Sequence, residues 1–477
     1  GIAALNGSGI EVSKGVGTVD EAVEPPQGST AIGHTRWATH GGVTRTNAHP
    51  HTDPDQKVAV VHNGIIDNHS SLRREIGESN FESETDTEVI PHLLAKHLEN
   101  GLKPRKAAQK VTNRIEGSYA AVALLESGQI VAFKHGAPLA VAKNRGEHLF
   151  SSDVVPLLEH VDEAAFLEDG DIAVLDSGLT VFNQGREVSR KSREIRWEGG
   201  SATRGDFDQF TRKEIGQQPE TIKRATFQDE ESLAEGADML EDARTVWITG
   251  CGTSSYAADH MRDYLAPEID ARSIQSHELE YRTAEVDEGD AVVAVSQSGE
   301  TKDLLAALED VQAPVVSFLN VAQSSLERRS DHTIYINAGP EVGVASTKAY
   351  TAQLAAMKTV ASRLKDQEQV ANSLHGTAEK AEEVIETSES LAQELQSRLG
   401  GEDAYFVGRY QRFHSAKEAS LKLKELSYIH SEAFPAGEFK HGTLALVEEG
   451  TPVVGFGDEE TADETPSNLE EASSRGA

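Results

Sequence analysis

The apolar positions change rhythm once along the chain. Up to about residue 200 they fall in short runs: VAVVHNGII, YAAVALL, QIVAFKHG, DIAVLD and LTVFN. Their length and β-branched content predict strands. Longer amphipathic stretches such as TDTEVIPHLLAKHLENG interrupt them and predict helices. The pattern predicts a layered α/β domain over residues 1–200, followed by a linker over 201–230, where REIRWEGGSATRGDFD runs polar and glycine-rich. Beyond it, strands alternate with long helices: TVWITG, SYAADHMRDYL, DAVVAVSQSG, KDLLAALEDV, APVVSFLN. That alternation predicts a parallel, doubly wound sheet over 231–370. A charged helical connector is expected at 371–400. A weaker copy of the same unit follows at 401–477, where AYFVGRYQRFHSAKEASLKLKEL repeats the strand–glycine–loop–helix order and TPVVGFGDEE supplies a second strand. This copy is expected to be incomplete, ending after two strands and a helix.

Composition narrows the class. No apolar run approaches the roughly 18–20 residues that span a bilayer, and no charged-then-apolar leader opens the chain. No membrane partner is expected, and a cytoplasmic location is. With 79 acidic against 45 basic residues the net charge is −34, which speaks against a nucleic-acid partner. The acids are spread along the whole chain, as on the surfaces of proteins from salt-loving cells, where high ionic strength screens self-repulsion. A single cysteine, Cys251, excludes a disulfide framework and a cysteine-based zinc site. The chain opens on Gly1 rather than Met and closes on SNLEEASSRGA, so it reads as a fragment.

Three loops carry candidate chemistry in the second half. In TGCGTSSY, glycines permit a tight turn while Thr253 and Ser254 bring hydroxyls and backbone N–H groups to a helix start, suiting an anion. The loop Ser296-Gln297-Ser298-Gly299-Glu300-Thr301 repeats that chemistry at the end of the next apolar strand. The segment from Gly343 to Lys348, with Val344 and Ser346, adds small residues before another helix. Each loop alone is also an ordinary helix cap. Two on neighbouring strand ends favour a ligand, and the absence of G-x-x-x-x-G-K-[ST] favours a small phosphorylated metabolite over a nucleotide. Downstream, Lys422 and Glu425 stand three apart on a helix and share a face. Such a pair is usually a solvated ion pair; a carboxylate there also suits proton transfer between adjacent carbons.

The first half has its own cluster. His34, His40, His49, His51 and His62 lie close in sequence, yet no H-E-x-x-H spacing supports a metal, and none is expected. Arg36 suits a carboxylate and Asp86 an α-ammonium, together an amino-acid headgroup. Asn63-Gly64 offers an amide and a backbone N–H for an oxyanion, or, alternatively, an Asn-Gly hairpin turn.

CGTS, SQSGET, GVASTKA, LKLKELSYIHSEAF and GEFKHG, in this order, resemble the isomerase half of the glucosamine–fructose-6-phosphate aminotransferase (isomerising) family. HTRWATHG, NAHPH, VVHNGIIDN and SETDTEV resemble its glutaminase half, so the resemblance covers nearly the whole chain. It implies an N-terminal-nucleophile-type αββα glutaminase domain followed by two tandem sugar isomerase (SIS) domains of doubly wound parallel sheet. It implies glutamine and fructose 6-phosphate as substrates, glutamate and glucosamine 6-phosphate as products, no cofactor, and a homodimer. Carried over by motif, Thr253, Ser254, Ser296, Gln297, Ser298 and Thr301 hold the sugar phosphate, with Val344 and Ser346 nearby. Glu425 is the isomerase base, Lys422 stabilises the enolate or tunes Glu425, and His441 opens the sugar ring in the neighbouring subunit's site. Arg36, Trp37, Thr39, His40, Gly64 and Asp86 bind glutamine, Asn63 and Gly64 form the oxyanion hole, and Trp37 gates ammonia. Cys251 then becomes a small buried hydrophobe. The family's N-terminal cysteine nucleophile and C-terminal Schiff-base lysine have no counterpart in these residues, and neither Lys440 nor Lys348 suits the lysine's role. The expectation is a chain truncated at both ends, in which neither half-reaction is complete. The alternative is a non-catalytic sugar-phosphate sensor, which would have no use for Glu425, Lys422 and His441.

Overall fold

The computed structural model describes residues 1–17, 23–36, 41–195, 203–227, 230–322, 324–365, 374, 376–399, 403–461 and 464–477. The chain divides into two compact units, Gly1–Gly200 and Ser201–Ala477.

In the first unit, β1 (Ile2–Asn6), β2 (Gly9–Ser13) and β3 (Thr30–Gly33) make a small antiparallel sheet in the order β2-β1-β3. β4 (His51–Thr52), β5 (Val58–Ile66), β6 (Gly117–Leu125) and β7 (Ile130–His135) belong to a seven-stranded sheet. β8 (Ala140–Asn144), β9 (Glu147–Ser151), β10 (Glu163–Phe166) and β14 (Arg193–Glu194) form a third sheet. β11 (Asp171–Leu175), β12 (Leu179–Asn183) and β13 (Arg186–Val188) complete the seven-stranded one, in the order β13-β12-β11-β7-β6-β5-β4. β5 over residues 58–62 and β6 over residues 119–125 are buried at every position, because alternate side chains enter two different cores. Val58, Val60, Ala121 and Ala123 pack under helices α1 (His69–Ile76), α2 (Val89–Glu99) and α3 (Pro104–Thr112). Ala59, Val61, Ala120 and Val122 face the other way, against Ala3 and Ile32 of the small sheet and Val141 and Ala165 of the third. The layers among the described residues therefore run helices, sheet, sheet, which gives the two central sheets and one helical layer of the expected αββα arrangement.

The second unit opens with α4 (Phe210–Thr226) and α5 (Glu230–Glu241). Most of the stretch expected as linker is thus helical, and Ile222 and Ala225 of α4 are buried in the unit's main core. A five-stranded, wholly parallel sheet follows, ordered β16-β15-β17-β18-β19. Its strands are β15 (Val246–Gly250), β16 (Ala271–Gln275), β17 (Ala291–Ser296), β18 (Val315–Leu319) and β19 (His332–Tyr335). The helices between them are α6 (Thr253–Leu265), α7 (Ser276–Leu279), α8 (Lys302–Ala307) and α9 (Ser325–Arg329), with α10 (Lys348–Leu364) closing the layer. Val246 and Ile248 pack towards α6 and α10, while Trp247 and Val292 pack on the opposite face with Leu304 and Leu308. A sheet covered on both faces is the doubly wound arrangement the alternation predicts. The charged α11 (Thr377–Arg398) leads to the second repeat. There β20 (Asp403–Gly408), α12 (Gln411–Ser427), β21 (His430–Pro435), β22 (Val453–Phe456) and α13 (Glu464–Ser473) form a three-stranded parallel sheet ordered β21-β20-β22. The expected two strands are three. The helix expected to carry Lys422 and Glu425 is α12; it stops at Ser427, Tyr428 takes a left-handed turn with φ of 61°, and His430 starts β21. No helix among the described residues is long and apolar enough to cross a membrane.

Candidate active sites

The glycines of TGCGTS are required by the close packing of strand end and helix start. A Cβ on Gly250 would stand 2.9 Å from the Ser254 backbone, and Gly252 has a φ of +53°. This turn delivers Thr253 to the first position of α6, buried against α12 of the second repeat. The Thr253 hydroxyl donates to Glu418 Oε1 at 3.1 Å and accepts from Lys422 Nζ at 3.0 Å. Lys422 Nζ is in turn 2.6 Å from Glu425 Oε2 and 3.4 Å from Glu418 Oε1. Glu418, Lys422 and Glu425 thus stand at i, i+4 and i+7 on one face of α12, and one polar chain joins the first hydroxyl loop to the candidate base. Glu418 is buried, and burial pushes its carboxyl up from the ordinary range. Lys422 is 17 % exposed and Glu425 35 %, so this pair is part-buried.

The other loops are held by internal bonds. Ser254 Oγ accepts from Gln353 Nε2 at 3.1 Å. Ser296 Oγ accepts the Gly299 amide at 2.9 Å and lies 3.5 Å from Thr301 Oγ1, while Ser298 Oγ accepts the Glu300 amide at 3.2 Å. Gln297, between them, is half-buried. In the third segment Ser346 donates to Glu341 at 2.8 Å, and the amides of Val342 and Gly343 donate to Glu214 Oε1 at 2.5 and 3.0 Å. Val344, between these anchors, is 69 % exposed. His441 is exposed on the short turn Phe439–His441, and no hydrogen bond or ion pair among the described residues links it to Glu425. Lys348 is buried, donates to Gln217 at 2.8 Å and has its pKa lowered by burial to about 8; Lys440 pairs with Glu471 at 3.0 Å. Cys251 departs from the buried hydrophobe expected: it is only half-buried, and its thiol is hydrogen-bonded to Ser276.

In the first unit, Asn63 and Gly64 do not make a hairpin turn. They lie inside β5, opposite Ala120 and Tyr119, and both are exposed on the sheet. Gly64 takes a φ of +129°, and a Cβ there would be 2.1 Å from the Ser118 carbonyl oxygen. This kink turns the backbone near the end of β5. Asp86 is 5 % exposed and accepts the Ile66 amide at 2.7 Å, which fixes it two residues from Gly64. Arg36 donates to the carbonyls of Gly42 and Gly41 at 3.1 and 3.0 Å. Asn47 secures the same loop through Gly42 and Glu84. Trp37, Thr39 and His40 lie outside the described residues. Three of the remaining histidines bond to hydroxyls: His49 and His62 each lie 2.9 Å from Thr87 Oγ1, and His51 lies 3.0 Å from Thr85 Oγ1. Burial lowers His34 and His62 to about 4, His51 to about 3 and His49 well below its ordinary value, so all four are neutral near pH 7.

Residues 34–159 match the glutamine amidotransferase domain family, and residues 239–363 and 402–477 match the SIS domain family. Over its whole length the chain is 35 % identical to the glutamine–fructose-6-phosphate aminotransferase (isomerizing) of Sulfurisphaera tokodaii, covering 84 % of that protein. It is 36 % identical to the enzyme of the same name from Halobacterium salinarum, again over 100 % of this chain and 84 % of the relative.

The chain belongs to the glutamine–fructose-6-phosphate aminotransferase family.

The C-terminal domain of the Francisella tularensis glucosamine-fructose-6-phosphate aminotransferase superposes on 58 % of the chain, covering 83 % of that domain, with a TM-score of 0.52 and 33 % identity. For this family member, Glu418 was within reach of sequence reasoning, since KEASLKLKE places it one turn before Lys422. Glu214 and Glu341 were not. Glu214 meets the amides of a loop 128 and 129 residues away, and no local pattern records such a pairing.

Proposed function

We propose that this chain supplies the substrate-binding loops, the isomerase base and the oxyanion hole for the amination and isomerisation of fructose 6-phosphate to glucosamine 6-phosphate, with nitrogen from glutamine and release of glutamate. The observation that carries this reading is the run Thr253–Lys422–Glu425, in which a hydroxyl loop suited to a sugar phosphate touches a paired carboxylate. Together with Ser254, Thr253 receives the phosphate, and Ser296, Gln297, Ser298 and Thr301 complete its cradle, with Val344 and Ser346 at the rim. Moving a proton between adjacent sugar carbons takes one carboxylate within reach of both, and Glu425 fills that role. Lys422, held by Glu418 and Thr253, supplies positive charge beside it, either to the enolate oxygen or to Glu425. His441 opens the sugar ring of a partner subunit in a homodimer. In the first unit, Arg36 and Asp86 take the carboxylate and ammonium of glutamine with Trp37, Thr39 and His40, and Asn63 with the Gly64 amide stabilises the oxyanion of amide hydrolysis. A sugar-phosphate sensor is not favoured: both relatives named above are aminotransferases, and a sensor gives Glu425 no task.

Glu425→Gln tests the reading. The isostere is expected to slow fructose 6-phosphate to glucosamine 6-phosphate conversion about 10²–10⁴-fold, while the dissociation constant for fructose 6-phosphate, read by calorimetry, changes little. Unchanged turnover would remove Glu425 from the mechanism.

A further inference from the structure

Cys251, His277 and Asp303 meet at one corner of the five-stranded sheet. β16, β15 and β17 are adjacent and parallel, so their carboxyl ends lie side by side. Cys251 follows β15, His277 stands two residues past β16, and Asp303 lies in the first turn of α8 after β17. One ligand-type atom from each, a thiol sulfur, a ring nitrogen and a carboxylate oxygen, all lie within 4.8 Å of one another. This is the one group of three such side chains among the described residues; the histidine-rich stretch of the first unit makes none. A single cysteine rules out a site built on cysteines, not a mixed one: sulfur, imidazole and carboxylate are all donors zinc takes, at about 2.0–2.3 Å from the ion, which sets neighbouring donors about 3.5 Å apart. Closing the present spacing to that value requires little, because His277 and Asp303 are exposed and rotate without disturbing the core. The Glu278 carboxylate lies 3.7 Å from His277 Nε2 and offers a further oxygen.

We propose that Cys251, His277 and Asp303 form a binding site for a thiophilic divalent cation of the zinc type, and that filling it changes sugar-phosphate affinity. On binding, the Cys251 thiol gives its proton to solvent and the sulfur forms the metal bond. Burial and the Asp303 charge hold that thiol protonated in the free protein, and a cation seated between the two reverses the balance. The effect on the sugar phosphate rests on the loop assignment above. Cys251 is two residues from Thr253 and Asp303 two from Thr301, so a metal bonded to both fixes the spacing of the two hydroxyl loops.

The experiment titrates the metal-free protein with Co²⁺ and follows thiolate-to-cobalt charge-transfer absorption, then displaces cobalt with Zn²⁺. The band is expected to saturate at one equivalent, to vanish in Cys251→Ser, and to need at least about tenfold more metal in His277→Ala and in Asp303→Asn. His277 and Asp303 are exposed, so those variants fold even if Cys251→Ser does not. No band, or a band indifferent to all three substitutions, overturns the site. Fructose 6-phosphate affinity is then measured with and without stoichiometric Zn²⁺. A several-fold change in wild type, in either direction, that is absent in His277→Ala supports the coupling. A band with unchanged affinity overturns it and leaves the site standing. Failure of the metal-free protein to bind fructose 6-phosphate counts against the functional reading instead.

Discussion

Gly64 shows how much one residue fixes in the first unit. It sits inside a strand, where glycine ordinarily weakens pairing, yet its backbone lies in the left-handed half of conformational space and its neighbour's carbonyl leaves no room for a Cβ. Gly64→Ala is expected to cost about 2–4 kcal/mol, read as a lowered melting temperature. Gly178→Ala, where a Cβ meets nothing within 4 Å, should leave it nearly unchanged. Equal effects would show that crowding at Gly64 is not what selects glycine there. From sequence, Asn63-Gly64 fits a hairpin turn as well as an oxyanion hole, because a dipeptide carries no record of the strand opposite it. The pairing with Ala120 and Tyr119 removes the hairpin turn. Lys422 and Glu425 are the reverse case. Their spacing alone places them on one face, but an exposed pair and a part-buried one read identically until Thr253 is found against Lys422.

Between elements, the second unit depends on contacts that cross long stretches of sequence. α6 and α12, one from each repeat, are joined not only by Thr253, Glu418 and Lys422 but by His414 Nε2, 2.9 Å from Asp263 Oδ2, and by the pair Lys417–Asp259. α4 reaches the third loop through Glu214, which is buried and accepts two backbone amides there. Glu214→Ala strands both amides. Fructose 6-phosphate binding is expected to weaken by about 1–3 kcal/mol, measured by calorimetry, with the helical circular dichroism of the unit kept. Unaltered affinity would mean that this loop does not touch the ligand. The same distances explain what sequence rhythm missed. α4 was hidden in a stretch that looked like linker because its apolar face is sparse and its partner α10 lies more than a hundred residues on. β21 was hidden because HSEAFP follows α12 after only two residues and carries just two apolar side chains, Ala433 and Phe434, before its proline; the stop is made by the backbone at Tyr428.

At the scale of the molecule, the two rhythms of apolar positions were enough to give a layered first unit and a doubly wound second one, since each core demands its own period. They could not give the pairing of three sheets in the first unit, which is fixed by long-range register. They also could not show that the clustered histidines are buried. Because burial holds His34, His49, His51 and His62 neutral in the fold, their folded pKa values lie below the unfolded value of 6.5. Below that value the unfolded chain binds more protons than the folded one, so stability falls as pH drops from about 6.5 towards 4. Each imidazole contributes up to about 1.4 kcal/mol per pH unit. Denaturant midpoints between pH 7.5 and 4.5 should therefore fall steeply, and less steeply once His49 and His62 are replaced by Gln. A flat profile would show that these imidazoles are reached by water.

The central claim is that nitrogen passes from glutamine to fructose 6-phosphate. The protein isolated from its own cells should be given glutamine labelled with ¹⁵N in the side-chain amide, together with fructose 6-phosphate, and the products resolved by mass. The prediction is ¹⁵N-labelled glucosamine 6-phosphate formed in equal amount to glutamate. Binding of fructose 6-phosphate with no labelled amino sugar would contradict the account.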